Sequence, residues 1–160
     1  METEVIEKPR TGSARTIARK ILKDTKITEA PVSLWRVIKH LQSSSDLSVM
    51  PYGFGDKVSG MLVMVDESAT IGYNNSQHWH RRRFTIAHEI GHLIMGHTCN
   101  DNFSDYREKE ANEFAAELLM PLAVLKKDFK QIGVLKTLAE RYIVSEEAMC
   151  RHLMYCRLLK

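Results

Sequence analysis

His88, Glu89 and His92 form a His-Glu-x-x-His pattern inside Phe84–Met95, FTIAHEIGHLIM. On an α-helix, residues four apart share one face, one turn from each other. Both imidazoles then aim at one spot, as two ligands of a tetrahedral zinc do. Glu89 projects beside that spot, where a base for a zinc-bound water belongs. Projected at 100° per residue, Ile86, Ile90 and Leu93 fall opposite the histidines, and Phe84 and Met95 flank them. A helix apolar on both sides is buried. Two histidines and a glutamate in such a helix are costly without a partner, which favours a metal over hydrogen-bonded core histidines.

The rest of the composition agrees with one ordinary domain. The chain has 160 residues, 44% hydrophobic and 27% charged, enough for a sizeable core. A net charge of +3 is too small to imply nucleic acid by itself. Cys99, Cys150 and Cys156 make an odd set with no C-x-x-C pair, which fits a reducing setting. There is no apolar run long enough to span a membrane, and METEVIEKPR has no signal-peptide core. The expected location is the cytoplasm. The expected layout is a flexible tail at 1–12, a catalytic core at 13–125, and C-terminal helices at 126–160 packing on the same domain.

Ser13–Lys23 reads as an amphipathic helix with Ile17, Ile21 and Leu22 inward and a solvated basic face. Pro31 suits the first turn of a second helix, with Val32, Trp35, Ile38 and Leu41 inward. Ser43–Asp46 is a loop. Leu47–Tyr52 reads as a short strand, and the GFG after it as a turn, since it lacks a phosphate loop's Gly-Lys-Ser/Thr ending. Val58–Val65 and Thr70–Asn74 suggest a hairpin. Thr70–Asn74 is the strand expected to offer its edge to an extended peptide. His78, His80 and the run Arg81–Arg83 read more simply as surface than as ligands or a nucleic-acid patch. Gly91, beside the histidine face, leaves room for another backbone.

Zinc in a catalytic site takes a third protein ligand and leaves one corner for water. A third histidine six residues past His92 is missing, since Thr98 stands there. His97 follows Gly96, a helix end, and as a continued helix would project away from His88. Tyr106–Leu119, YREKEANEFAAELL, offers four glutamates. Glu110, Glu113 and Glu117 share one face, which reads as a solvated stripe. Glu108 lies on the other face with Ala111, Asn112, Ala115 and Leu119. An acid there needs a partner, and the two alanines let the zinc helix approach. Glu108 is therefore the expected third ligand. Asn112, one turn on, is placed to hydrogen-bond a ligand or to serve as a plain buried amide. Pro121 ends the helix.

RRRFTIAHEIGH followed by REKEANEFAAELLMP resembles the ImmA/IrrE family of zinc metallopeptidases. In that family the glutamate ligand comes from an E-x-x-x-N/D motif, matched here by Glu108 and Asn112. The weaker resemblance extends from about Pro31 to the C-terminus. It implies an α+β fold of the zincin-like, gluzincin type: a small β-hairpin or sheet on the His-Glu-x-x-His helix. It also implies Zn2+ as cofactor and cleavage of a cytoplasmic transcription repressor, often encoded nearby on a phage or mobile element.

The last third reads as helix, turn, helix. Leu135, Leu138, Ala139 and Tyr142 face inward on the first. Ser145 caps the second, whose core stripe is Met149, Leu153 and Cys156. A DNA-recognition helix should begin basic, and this one begins Glu146-Glu147, so a structural pair is favoured and direct nucleic-acid binding is disfavoured. Cys150 and Cys156 read as small buried hydrophobes.

The function these readings support is a zinc-dependent endopeptidase. His88, His92 and Glu108 hold the metal, and Glu89 activates a zinc-bound water. Tyr73, His78, His80 and Tyr106 are candidates for stabilising the oxyanion. One rival is a non-catalytic zinc module that binds a repressor or DNA through the C-terminal helices. Another is hydrolysis of a non-peptide amide.

Overall fold

The computed structural model describes residues 8–53, 55–97 and 105–159. In order, the elements are α1 (Thr11–Asp24), α2 (Leu34–Gln42), β1 (Asp46–Tyr52), β2 (Gly60–Val65) and β3 (Ser68–Asn74). Then come α3 (Trp79–Ile94), α4 (Asp105–Leu119), α5 (Leu122–Ile132), α6 (Leu135–Tyr142) and α7 (Glu146–Tyr155). The architecture is mixed α+β, a small sheet among helices.

The β2–β3 hairpin forms as the alternating pattern requires, with Asp66 of its turn in the left-handed region (φ 53°) that aspartate tolerates. β1 then pairs in parallel with the other side of β3, giving the order β1-β3-β2. Thr70–Asn74 is thus the centre of the sheet, which corrects the expectation that it offers a free edge. Leu47, Leu62, Ala69 and Ile71 point to the core. α3 packs against β2 and β3 on one side and against α4 on the other.

Gly91 makes the α3–α4 crossing tight. A Cβ there would sit 3.1 Å from the Cα of Ala111. Backbone does approach at this glycine, as its lack of a side chain allows.

α1 buries Ala14, Ala18, Ile21 and Leu22. Its basic face is not simply solvated, because it runs along α4. Arg10, Arg15 and Arg19 pair with Glu110, Glu113 and Glu117 at 3.1, 3.1 and 2.8 Å. Glu110 and Glu117 are buried, so the solvated stripe expected of them is corrected: α4 is covered on two sides, and guanidinium partners compensate the buried carboxylates. The tail expected at 1–12 falls partly outside the described residues. Its last part is ordered, since Arg10 is bound to Glu110 and α1 starts at Thr11.

α2 starts later than Pro31 suggested. Ser33 caps it, its Oγ accepting from Arg36 N at 3.3 Å. The shift moves the apolar stripe to Leu34, Val37, Ile38 and Leu41 and turns Trp35 outward, 67% exposed beneath the Lys39 ammonium.

α4 stops before Pro121, and α5 starts after it. The α6–α7 pair closes the core with Leu138, Tyr142, Met149 and Leu153. The Ser145 hydroxyl caps α7 by accepting from Ala148 N at 3.1 Å. Tyr142 Oη donates to Asp128 Oδ2 at 2.7 Å, tying α6 to α5. Cys150 and Cys156 are half-buried, not fully buried as expected. Cys99 lies outside the described residues.

Candidate metal centre

His88 and His92 stand one turn apart on α3 with their rings edge to face, centroids 4.6 Å apart. Their Nε2 atoms are 3.0 Å apart. Glu108, in the first turn of α4, brings Oε2 to 3.1 Å from His88 Nε2 and Oε1 to 3.0 Å from His92 Nε2. Among the described residues this is the one such convergence of histidine, cysteine and acidic donors. Tetrahedral zinc ligands lie roughly 3.3 Å from each other, so the spacing needs little adjustment to take the ion.

The atoms behind the rings strengthen the fit. Asn112 Oδ1 is 2.8 Å from His88 Nδ1, and His97 Nδ1 is 2.8 Å from His92 Nδ1. When both rings carry their proton on Nδ1, two Nε2 lone pairs and a carboxylate face one another. That arrangement repels itself until a metal ion or an added proton sits between them. Two imidazoles and one carboxylate, with one further corner, form a donor set that catalytic zinc takes.

Charge is distributed unevenly across the site. Burial pushes the Glu89 carboxyl above its ordinary pKa, helped by Glu108 and opposed by His88. Burial, then the neighbouring His88 charge, takes His92 down to about 4. Burial also opposes a charged His88, but the Glu108 hydrogen bond and the charges of Glu89 and Glu108 outweigh it and raise the pKa. Glu108 is held below the usual carboxylate range, chiefly by its hydrogen bond with His88.

A cleft of about 620 Å³ opens over these residues. His88, Glu89, Glu108 and Asn112 are in its walls. His78, His80 and Arg81 line one part, and Ser145, Glu147 and Arg151 of the C-terminal pair line another. Of the four oxyanion candidates, His78 and His80 reach the cleft, and Tyr73 and Tyr106 are not among its lining residues. Gly60, at the start of β2, fits against Thr85 and Glu89; a Cβ there would collide with the Thr85 methyl.

His97, Glu110 and Arg10 were missed in the sequence as parts of this neighbourhood. The helix does end at Gly96 (φ 74°), but the chain turns so that the His97 ring comes back under His92. The spacing of His97 five residues after His92 was the only local signal. Glu110 and Arg10 gave none, because they meet across 100 residues of sequence.

Among the described residues no helix is long and apolar enough to cross a membrane. A solved Mycobacterium tuberculosis transcriptional regulator shares the fold with a TM-score of 0.68 at 17% identity, over 89% of this chain and 46% of that one. The "uncharacterized immunity region protein 2" of Bacillus phage phi105 is 29% identical over 89 residues, 51% of this chain and 56% of the relative. The chain thus spans about half the length of each of these two proteins. Residues 42–154 match the IrrE N-terminal-like domain of peptidases. With its paired motifs, that match makes the chain a member of the ImmA/IrrE family, of the type carried by phages and mobile elements.

Proposed function

We propose that the chain is a zinc-dependent endopeptidase with a zincin-like, gluzincin fold, and that it cuts a transcription regulator in the cytoplasm. The observation carrying this reading is the convergence of His88, His92 and Glu108, with His88, Glu108 and Glu89 opening on one cleft. A bound Zn2+ at these donors supplies a Lewis acid that acidifies water and polarises a peptide carbonyl. His88, His92 and Glu108 hold it, and Asn112 orients His88 through the 2.8 Å contact.

Glu89 is the general base. Its carboxylate takes a proton from the water that attacks the peptide carbonyl and returns it to the leaving nitrogen. Its raised pKa favours the first half of that exchange, since a more basic carboxylate accepts the proton more readily. His78 and His80 are the cleft groups placed to meet the carbonyl oxygen.

A regulator as substrate is supported by the phage immunity-region relative and by the fold shared with a protein described as a transcriptional regulator. The exposed Glu146 and Glu147 at the start of α7 repel phosphate, which disfavours the rival reading of DNA binding through this helix.

The test is to incubate the protein with the helix-turn-helix regulator encoded beside it, with and without chelator, and look for fragments. Fragments should appear with Zn2+, vanish with chelator and be absent for Glu89→Gln. Fragments that persist in Glu89→Gln would remove the base from the mechanism. Relief of repression by Glu89→Gln without any cleavage would favour a binding module.

A further inference from the structure

His97 has no place in the ligand set, yet both its ring nitrogens are engaged. Its Nε2 lies 2.8 Å from Glu110 Oε2, and its Nδ1 lies 2.8 Å from His92 Nδ1. Glu110 is fully buried and receives the Arg10 backbone N–H at 2.9 Å, Nε at 3.1 Å and Nη2 at 3.1 Å. The same Nη2 also donates to Met95 O at 3.2 Å, at the end of α3. We infer that His97 and Glu110 are positioning residues that fix the tautomer and ring orientation of His92 for metal binding. This rests on the metal site proposed above.

An ionised carboxylate only accepts hydrogen bonds, so Glu110 takes the Nε2–H of His97. In its neutral form an imidazole has one donor nitrogen and one acceptor, so a neutral His97 bonded to Glu110 through Nε2–H is left with Nδ1 as an acceptor, the state that the 15N arm below reads out. Its partner, His92 Nδ1, must then carry the proton. His92 Nε2 is left with its lone pair aimed at the spot shared with His88 and Glu108. Arg10 supplies the positive charge that keeps the buried carboxylate at the far end ionised. A carboxylate acting on a ligand through an intervening imidazole extends the usual partnership, in which the ligand donates straight to an acceptor. His88 uses that shorter form, with Asn112 as its acceptor.

The test has two arms, neither of which reads cleavage. In the first, Zn2+ affinity is measured by competition with a chromophoric chelator for wild type, His97→Leu and His97→Asn. His97→Leu should bind Zn2+ about ten- to a hundredfold more weakly. His97→Asn restores an acceptor oxygen near the Nδ1 position and should recover most of the affinity, which mere filling of space would not do. Wild-type affinity in His97→Leu overturns the inference while leaving the peptidase reading intact. Wild-type protein that takes up no Zn2+ overturns both. In the second arm, which needs no variant, 15N spectra of the histidines in metal-free wild-type protein read the tautomer of His92. The Nδ1–H form is the expected result, and an Nε2–H form overturns the relay. Tight Zn2+ binding and the expected tautomer without cleavage of any regulator would sink the peptidase reading alone.

Discussion

Gly91 on α3 faces Ala111 on α4 so closely that a Cβ at 91 would lie 3.1 Å from both the Cα and the carbonyl oxygen of Ala111. Neither atom can rotate away, so a side chain at 91 must push the two helices apart. Gly91→Ala should destabilise the protein by about 1–3 kcal/mol. It should also weaken Zn2+ binding, because α4 carries Glu108 and α3 the two histidines. Thermal melts with and without Zn2+ check both effects, and a variant that melts like wild type would contradict the close approach.

Glu89→Gln separates holding the metal from using it. The amide keeps the shape of the side chain but cannot take a proton. Zn2+ affinity should stay near that of wild type, and cleavage of the regulator should fall by about 10²–10⁴-fold. A matched loss of both would show that Glu89 supports the site rather than the chemistry.

Asn112→Leu should loosen Zn2+ about ten- to a hundredfold by removing the acceptor at His88 Nδ1. Titration with Co2+, followed in the visible spectrum, reports both affinity and ligand geometry. Asn112 is exposed and not buried, so unchanged binding would make it an ordinary surface amide.

Ile71→Pro tests the sheet rather than the substrate. Ile71 is fully buried on the central strand, opposite Val49 on one side and Leu62 on the other. Proline there removes a backbone donor and shrinks a packed side chain, which should cost at least about 3 kcal/mol. Urea unfolding would measure it. A folded variant with impaired cleavage alone would restore the idea of a free edge at 70–74.

His152 gives the fold an acid sensitivity of its own. Burial holds its pKa below the ordinary 6.5; Glu117 and Glu113 of α4 push it up, and Arg15 of α1 pushes it down. The ring lies 3.0 Å from Met120 O through Nε2 and also touches Cys156. As pH falls through 6.5 the unfolded chain takes up this proton first, so stability is complete above that pH and declines below it. His152→Gln keeps a donor for Met120 and removes the titration. The gap between melting temperatures at about pH 7.5 and about pH 5 should narrow in the variant. An unchanged gap would assign the acid loss to other groups.

The histidine pair and Glu89 were legible because a helical repeat is local: residues four apart need no knowledge of the rest of the chain. The convergence of Glu108 on the histidines was expected for a sound reason and an incomplete one. It does face α3, yet its side chain is 37% exposed, since it sits on the cleft side. Glu110, placed in solvent by the same projection, is fully buried. What buries it is α1, about a hundred positions upstream, and no window along α4 contains that information. The same holds for β1, whose parallel seat beside β3 cannot be read from a hairpin pattern. Trp35 was misplaced by a small shift in where α2 begins.

The three arginines along α1 bear on where this protein can be cut. The recognisable family region starts at residue 42, after that helix has ended. A fragment trimmed to that boundary would strip Glu110, Glu113 and Glu117 of their counter-charges and bare the apolar flank beside them. Expression of the family-matching portion alone should therefore yield insoluble or swollen material, and the leading helix belongs in any working minimal unit.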